Sequence, residues 1–216
     1  MITIMKTGYF KKNFAKFIAS YENESYKAHH LKKERLFKEV KGTVLEIGPG
    51  TGANFPFLSN KQIEWIGLEP NHAMHPFLFE NISKYDIEAK LLDSSTESIC
   101  LPDNSMDYIL SSEVLCSVSD MEKSLTEIRR VLKPNGKFLF LEHVIDKQNI
   151  LRRFIQKIVP FTPWKYYSDG CHPARDIGGA IEKAGFSKVQ YVDYMREGHG
   201  IIITINRPHI YGWAQK

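Results

Sequence analysis

One stretch decides the fold of this 216-residue chain: Val44-Leu45-Glu46-Ile47-Gly48-Pro49-Gly50-Thr51-Gly52. The apolar run at residues 43–47 predicts a buried strand, and three glycines within five positions follow it. Glycine permits a tight turn and a close approach of the backbone to a ligand, with the N-terminus of the next helix aimed at that ligand. The stretch therefore predicts a ligand-binding loop between a strand and a helix. The alternative is a turn that needs glycine for its geometry alone.

Strand and helix signals alternate after this loop. Further strands are expected at residues 63–68, 89–92, 108–110, 137–141, 189–192 and 201–205. Helices are expected from about residue 71, over 121–132 and near 176–184, with a turn at 134–136 (Pro-Asn-Gly). Repeated strand–helix units predict a parallel sheet covered on both faces. We expect one α/β domain, residues 42–216, with a seven-stranded, mostly parallel sheet and one antiparallel edge strand.

Residues 1–41 form a separate region, which we expect to be an N-terminal helical cap. Large apolar side chains recur there at helical spacing, at Phe10, Phe14, Phe17, Ile18 and Tyr21. A second helix is expected over residues 25–40. The cap either covers one side of the core, or acts as a lid over a substrate pocket or as a foot on a membrane surface.

The composition excludes several classes of protein. Hydrophobic residues make up 43% and charged residues 25%, as in globular domains rather than disordered or fibrous chains. The net charge of +4 is too small to indicate nucleic-acid binding, and no apolar run reaches the roughly 18 residues of a membrane-spanning helix. Three cysteines without a CxxC pair, and no signal peptide, predict a cytoplasmic protein.

Glu69 ends the second predicted strand, where Rossmann-type folds place an acid that accepts hydrogen bonds from ribose hydroxyls. Such an acid indicates an adenosine ligand without saying which one. The alternative is an exposed acid at the start of a helix. Gly48, Gly50 and Ala53 also match the GxGxxG/A pattern of NAD-binding proteins. However, the helical region before the glycine strand and the short chain argue against an NAD-dependent oxidoreductase with its own substrate domain.

Glu46 completes a pattern of an acid ending the first strand, a glycine loop, and an acid ending the second strand. This order resembles class I S-adenosylmethionine (SAM) methyltransferases. Residues 101–107 (Leu-Pro-Asp-Asn-Ser-Met-Asp) and 131–136 (Val-Leu-Lys-Pro-Asn-Gly) agree with it. The resemblance implies a Rossmann-like fold, SAM as the cofactor and S-adenosylhomocysteine as its product.

By the same resemblance, the cofactor is expected to contact the glycine loop, the second-strand acid, the residues after the third strand and the end of the fourth strand. These positions are Glu46, Gly48, Pro49, Gly50, Thr51, Gly52, Asn54, Glu69, Pro70, Ser95, Thr96, Glu97, Ser112 and Glu113. Many members of the family carry Asp where this chain has Ser95. Recognition of adenine would then rest on a hydroxyl or on the backbone.

A closer resemblance covers about residue 21 to the C-terminus. Residues 50–55, 114–118 (Val-Leu-Cys-Ser-Val), 142–144 (Glu-His-Val), 169–171 (Asp-Gly-Cys) and 207–212 (Arg-Pro-His-Ile-Tyr-Gly) resemble the methyltransferase-like alkyl-thiol methyltransferases. Those relatives begin with a hydrophobic membrane anchor, which this sequence does not show, and they usually carry Cys in place of Pro49. The resemblance implies a small-molecule thiol as the methyl acceptor.

A thiol suits the sequence chemically. Thiols are partly ionised near neutral pH and strongly nucleophilic, so desolvation and alignment matter more than a strong base, and no such base is evident. Ligands of open α/β sheets bind at the carboxyl ends of strands, which favours residues near the end of the fifth strand. The candidates are His143 and Asp169 for catalysis, and Tyr21, Glu142, Trp164, Cys171 and His209 for substrate binding.

Each candidate also has a plainer interpretation. His143 is equally a histidine satisfied by the backbone, Asp169 a turn residue, and Cys171 a small buried side chain. His29 and His30 lack supporting ligands, so no metal is predicted. The alternative functions are C-, N- or O-methylation of a quinone, a phospholipid headgroup or another metabolite, and SAM binding without turnover. We expect a small-molecule acceptor, no nucleic-acid partner and at most peripheral membrane contact.

Overall fold

The computed structural model describes residues 2–216 and the side chains of residues 8–164 and 166–216. Within that range the strands are β1 Gly42–Ile47, β2 Ile63–Leu68, β3 Ala89–Leu92, β4 Met106–Ser112, β5 Leu132–His143, β6 Lys188–Met195 and β7 Pro208–Gln215. The helices are α1 Ile2–Phe37, α2 Phe55–Leu58, α3 His75–Lys84, α4 Met121–Val131, α5 Ile150–Ile158, α6 Trp164–Tyr167, α7 Ile177–Lys183 and α8 Ile201–Ile205. A 3-10 turn, Val159–Phe161, follows α5.

The strands form one sheet in the order β3-β2-β1-β4-β5-β7-β6. Strands β1 to β5 pair in parallel, whereas β7 runs antiparallel to both β5 and β6. This confirms the predicted seven-stranded, mostly parallel sheet with an antiparallel edge. The chain moves outward in one direction from β1 to β3 and in the other from β4, so the carboxyl ends of β1 and β4 border a crevice suited to a ligand.

Both faces of the sheet are buried because its side chains alternate between two apolar layers. Leu45, Ile109 and Phe138 belong to one layer, and Val44 and Trp65 belong to the other. The end of α1 packs on the second layer through Phe37, which is fully buried. The carboxyl-terminal part of the predicted cap is therefore part of the core.

The first 41 residues differ from the prediction in one respect. The two expected helices are one continuous helix, α1, which runs past residues 20–25 without a break. The residues between Tyr21 and Ser25 are Glu, Asn and Glu, and they include neither the glycine nor the proline that commonly ends a helix. None of the helices in the described part of the chain has both the length and the apolar character needed to cross a membrane.

The last predicted strand was wrong. Residues 201–205 form helix α8, and the closing strand is β7 at Pro208–Gln215. A run of isoleucines has high strand propensity, but that preference is weak compared with the pairing that the tertiary fold offers. Strand β7 hydrogen-bonds to a neighbour on each side, whereas Gly200, with φ of 111°, turns the chain into α8.

The fifth strand also begins earlier than expected. Residues 134–136, predicted as a turn, lie within β5, where Asn135 has a φ of 65°. Asparagine tolerates this left-handed conformation better than most residues, so the strand accommodates the irregularity.

Candidate functional site

A cavity of about 460 Å³ opens at the carboxyl ends of β1, β2 and β4 and is closed on one side by α1. We call it the first cavity. Of the fourteen residues expected to bind a cofactor, all except Gly52 line it. The loops that follow different strands therefore converge on one place.

The glycines of the loop have different roles. Gly48 and Gly50 both have left-handed φ angles, of 57° and 59°. A Cβ at Gly48 would lie 2.7 Å from Val114, whereas a Cβ at Gly50 would meet nothing within 4 Å. At Gly52, which does not line the cavity, a Cβ would lie 2.6 Å from the ring of Phe55. Gly48 and Gly52 thus serve packing, and Gly50 keeps space free in the cavity.

Glu69 joins the second strand to the glycine loop. Its Oε2 accepts a hydrogen bond from the backbone N–H of Gly50 at 2.9 Å, and its Oε1 accepts one from Asn71 at 2.7 Å. Burial raises the pKa of Glu69, against the effect of these two hydrogen bonds. The carboxylate is thus fixed by the backbone at the cavity wall, where each oxygen retains capacity to accept a further bond.

Glu46 is the buried anchor beneath the loop. Asn54 Nδ2 and Trp65 Nε1 each donate to its carboxylate at 2.8 Å. Burial raises the pKa of Glu46, whereas these two donors lower it. Each oxygen is thus held by a side-chain donor of the protein, and Glu46 orders the cavity floor.

Glu97 has a similar structural task. Its carboxylate accepts hydrogen bonds from the backbone N–H groups of Ser119 and Asp120, just before α4. Burial raises the pKa of Glu97. The hydrogen bonds from backbone N–H groups, including these two, outweigh that effect and hold the pKa below its ordinary value.

Sequence reasoning missed Lys33. This residue of α1 is only 4% exposed and lines the first cavity. Burial lowers its pKa, while the charges of Glu113 and Glu46 raise it. The helical region contains many lysines, and only the packing of α1 against the sheet distinguishes this one, so no local signal identifies it.

A second cavity, of about 390 Å³, adjoins the first beneath α1. The residues that line both are Phe14, Ile18, Tyr21, Glu113 and Ser117. Most of the remaining wall of the second cavity is apolar, including Trp164, Tyr167 and residues 201–203. The two cavities thus meet in a short shared wall.

Glu113 stands at this junction in a left-handed conformation, with φ of 59°. His209 Nε2 lies 3.2 Å from its Oε1. Against the effect of burial, His209, His29 and Arg196 hold the pKa of Glu113 well below its ordinary value. Glu113 is therefore a carboxylate at neutral pH, and it faces both cavities.

The structure separates the residues predicted for catalysis and substrate binding. Those that line the second cavity are Tyr21, His143, Trp164 and Cys171. Asp169, predicted to be catalytic, instead lines the first cavity, where Asn71 Nδ2 donates to its Oδ2 at 2.9 Å. The turn at Gly170 separates Asp169 from Cys171, so two neighbours in sequence face different cavities.

Two more predicted substrate residues do not line the second cavity. Glu142 is fully buried, and its Oε1 accepts hydrogen bonds from Ser111 Oγ and from the N–H groups of Val114 and Leu115. Burial raises the pKa of Glu142 to about 7. His209 is buried beside Glu113 and lines neither the first nor the second cavity. Both residues position the junction rather than face the second cavity.

Known proteins resemble this chain over most of its length. Residues 45–140 match the family described as "Methyltransferase domain". The thiol S-methyltransferase TMT1B of Rattus norvegicus is 36% identical over 191 residues, which cover 83% of this chain and 78% of the relative. The thiol S-methyltransferase TMT1A of Homo sapiens is 32% identical over 196 residues, covering 86% and 78%. The chain belongs to the thiol S-methyltransferase family. It is a SAM-dependent methyltransferase.

Solved structures agree with the fold of this family. A SAM-dependent methyltransferase from Thermotoga maritima, titled a possible histamine N-methyltransferase, has a TM-score of 0.64 at 21% identity, covering 94% of this chain and 98% of its own. A putative SAM-dependent methyltransferase from Methanococcus maripaludis has a TM-score of 0.66 at 18% identity, covering 96% and 94%. These similarities concern the fold alone.

Proposed function

We propose that this methyltransferase transfers the methyl group of SAM to the sulfur of a small apolar thiol. The observation that carries the proposal is the pair of adjoining cavities, one lined by the glycine loop and one mostly apolar. Cys116, His143 and Cys171 lie close together and line the second cavity. A thiol with an apolar body fits such a cavity because its sulfur requires few hydrogen bonds and its body gains from burial.

The first cavity fits SAM by the polar groups that it offers. Glu69 accepts hydrogen bonds from the ribose hydroxyls, and Gly50 lets the loop backbone approach the cofactor. Lys33 supplies the positive charge for the carboxylate of the methionine part. Thr51 Oγ1, which is buried and has no hydrogen-bond partner within the described residues, is a further donor for it. Ser95 and Thr96 contact the adenine.

When bound, SAM supplies an electrophilic methyl group on a sulfonium sulfur. The residues at the junction of the cavities then align the acceptor and exclude water. Phe14, Ile18 and Tyr21 close the junction from α1, and the carboxylate of Glu113 faces it. A carboxylate there favours binding of the sulfonium cation, and enclosure in a dry site strengthens the attack of a thiolate. Asp169 holds Asn71 beside the ribose rather than taking a proton.

We infer that the two ends of α1 have different roles. Phe37 packs on the sheet as part of the core, whereas Phe14 and Ile18 line the cavities as a lid. Deletion of residues 1–20 should leave a chain that folds and binds SAM, with a raised KM for the acceptor. Unfolding of the truncated protein in thermal denaturation would contradict the lid.

We place the activity in the cytoplasm, which the three free cysteines favour. Peripheral contact with a membrane surface is supported by exposed apolar side chains on and beside α5, namely Ile150, Leu151, Phe154 and Phe161. Flotation of the protein with liposomes of neutral and anionic lipids tests this contact. The N-terminal helical region remains the other candidate for this contact.

A panel of acceptors tests the proposal. Release of S-adenosylhomocysteine should be fastest with alkyl and aryl thiols, and much slower with the corresponding alcohols and amines. If a phenol, a quinone or phosphoethanolamine is methylated and no thiol is, the acceptor atom is oxygen, carbon or nitrogen and the thiol proposal is wrong. If the protein binds SAM but releases S-adenosylhomocysteine with none of the acceptors, it is a SAM-binding protein without turnover.

A further inference from the structure

Cys116, His143 and Cys171 form a compact cluster that lines the second cavity. They come from the loop after β4, the end of β5 and the loop after α6, and all three are buried. Their ligating atoms lie within 4.8 Å of one another, and Cys171 Sγ lies 3.3 Å from His143 Nε2. Three soft or borderline ligands thus converge from separate elements.

The backbone fixes this convergence. The N–H of His172 donates to the carbonyl of Cys116 at 2.9 Å, which ties the two cysteine loops together. The left-handed turn at Asp169 and Gly170, with φ of 48° and 84°, presents Cys171 to the cluster. A left-handed conformation at a non-glycine residue costs free energy and is often found at functional sites.

The cluster also contains an unsatisfied group. His143 Nδ1 is buried and has no hydrogen-bond partner within the described part of the chain. Buried polar atoms are nearly always paired, and an orphan is commonly explained by a catalytic role or by a bound water or ion. His143 Nε2, which faces Cys171 Sγ at 3.3 Å, is the nitrogen placed to bind an ion between the three side chains, and Nδ1 is left for a bound water.

We propose that Cys116, His143 and Cys171 bind a zinc ion whose fourth position opens into the second cavity and receives the acceptor thiol. Two thiolates and one imidazole are a zinc-type donor set, and three protein ligands with one open position are typical of catalytic zinc. The two thiolates cancel the charge of Zn²⁺, so the occupied site is neutral and fits an apolar cavity. The role of the open position rests on the proposed thiol acceptor.

A second triad nearby, His29, Glu113 and His209, also brings its ligating atoms within 4.8 Å of one another. Its surroundings are unsuited to a divalent cation. Lys33 and Arg196 are both buried beside it and already interact with Glu113. A divalent ion would add two positive charges to theirs next to the sulfonium of SAM, whereas the cysteine-containing cluster supplies two negative charges of its own.

The zinc ion lowers the pKa of the thiol that binds it, so the acceptor loses its proton to solvent before the reaction. The acceptor sulfur then forms a bond to the methyl carbon while the bond between that carbon and the sulfonium sulfur breaks. The electron pair of the broken bond remains on the sulfur of S-adenosylhomocysteine. The neutral thioether is a weaker zinc ligand than the thiolate and leaves the site.

Metal analysis of the full-length protein tests the proposal directly. Protein purified under reducing conditions, supplied with zinc and then desalted, should contain about one zinc ion per chain by mass spectrometry. Cys116→Ser and Cys171→Ser should each lose the metal, and Cys100→Ser, at an exposed cysteine, should retain it. Cobalt in place of zinc should give sulfur-to-cobalt absorption in the near ultraviolet in the parent protein and in Cys100→Ser only.

Activity and cofactor binding separate the possible failures. SAM affinity should stay within about twofold in all variants, and thiol methylation should fall by at least about 100-fold in those without metal. Protein that binds no zinc or cobalt after reduction, or chelator-treated protein that keeps its full rate with thiols, would overturn the zinc site. If zinc binds and is lost in the two variants but no thiol is methylated, the site stands and the proposed acceptor fails.

Discussion

Replacement of Gly50 by alanine tests whether the glycine loop binds the cofactor or only turns the chain. A Cβ at this position meets no protein atom within 4 Å, so the protein itself has room for it. The remaining cost is the left-handed φ of 59°, about 1–2 kcal/mol for a non-glycine residue. For a chain of this size, that corresponds to a fall in Tm of roughly 2–8 °C. The added methyl group points into space that we assign to SAM, and overpacking of about 1–3 kcal/mol weakens binding some 5–150-fold.

Gly48 provides the matched control because its φ of 57° imposes the same backbone cost. A Cβ there would lie 2.7 and 2.8 Å from the two methyl carbons of Val114, so Gly48→Ala should lower Tm more than Gly50→Ala. Differential scanning fluorimetry gives Tm, and calorimetry gives the Kd for SAM. Gly50 does not border bound SAM if Gly50→Ala binds SAM within about twofold of the parent protein. The same conclusion follows if the loss of SAM affinity is proportional to the loss of Tm in both variants.

Substitutions at three further residues test individual contacts. Glu69→Ala should weaken SAM binding by tenfold or more, because charge-assisted hydrogen bonds contribute about 1.5–3 kcal/mol each; unchanged calorimetric binding would contradict the ribose contact. Burial raises the pKa of Glu69, so SAM affinity should fall as the pH drops through that raised value and the carboxylate is protonated, and Glu69→Gln should abolish this pH dependence. Lys33→Met should weaken the binding of SAM but not of decarboxylated SAM, because only SAM carries the carboxylate; equal losses for both ligands would exclude the carboxylate contact. Asp169→Asn should retain most of kcat/KM for the acceptor, since the side chain still accepts a hydrogen bond from Asn71, and a loss of about 100-fold or more in the rate would restore Asp169 as a catalytic group.

The cofactor loop could be predicted because its signals are local. The residues from Glu46 to Gly52 follow one another at the end of a strand, and Glu69 ends the next strand. In a parallel sheet, the carboxyl ends of neighbouring strands share one edge, so correct strands bring these residues together without further information. The alternation of strands and helices was enough to place the cavity.

The acceptor side depended on contacts that sequence spacing does not encode. Lys33 is distinguished from other lysines only because α1 lies across the sheet. Asp169 and Cys171 are two residues apart, yet a left-handed turn sends them to different cavities. Cys116 and Cys171 form one cluster only because two loops pair through their backbones. The odd number of cysteines argued against a disulfide framework, but it gave no hint of their convergence with His143.

The measurement that tests the central claim most directly uses SAM with a deuterated methyl group. The protein is incubated with an equimolar mixture of an apolar thiol and the alcohol and amine of the same carbon skeleton, and the products are identified by mass spectrometry. The label should appear on sulfur, in a thioether formed in an amount equal to that of S-adenosylhomocysteine. The rate of thioether formation should fall when Glu69 is replaced. Label on oxygen, nitrogen or carbon, with the thiol recovered unchanged, would contradict transfer to sulfur.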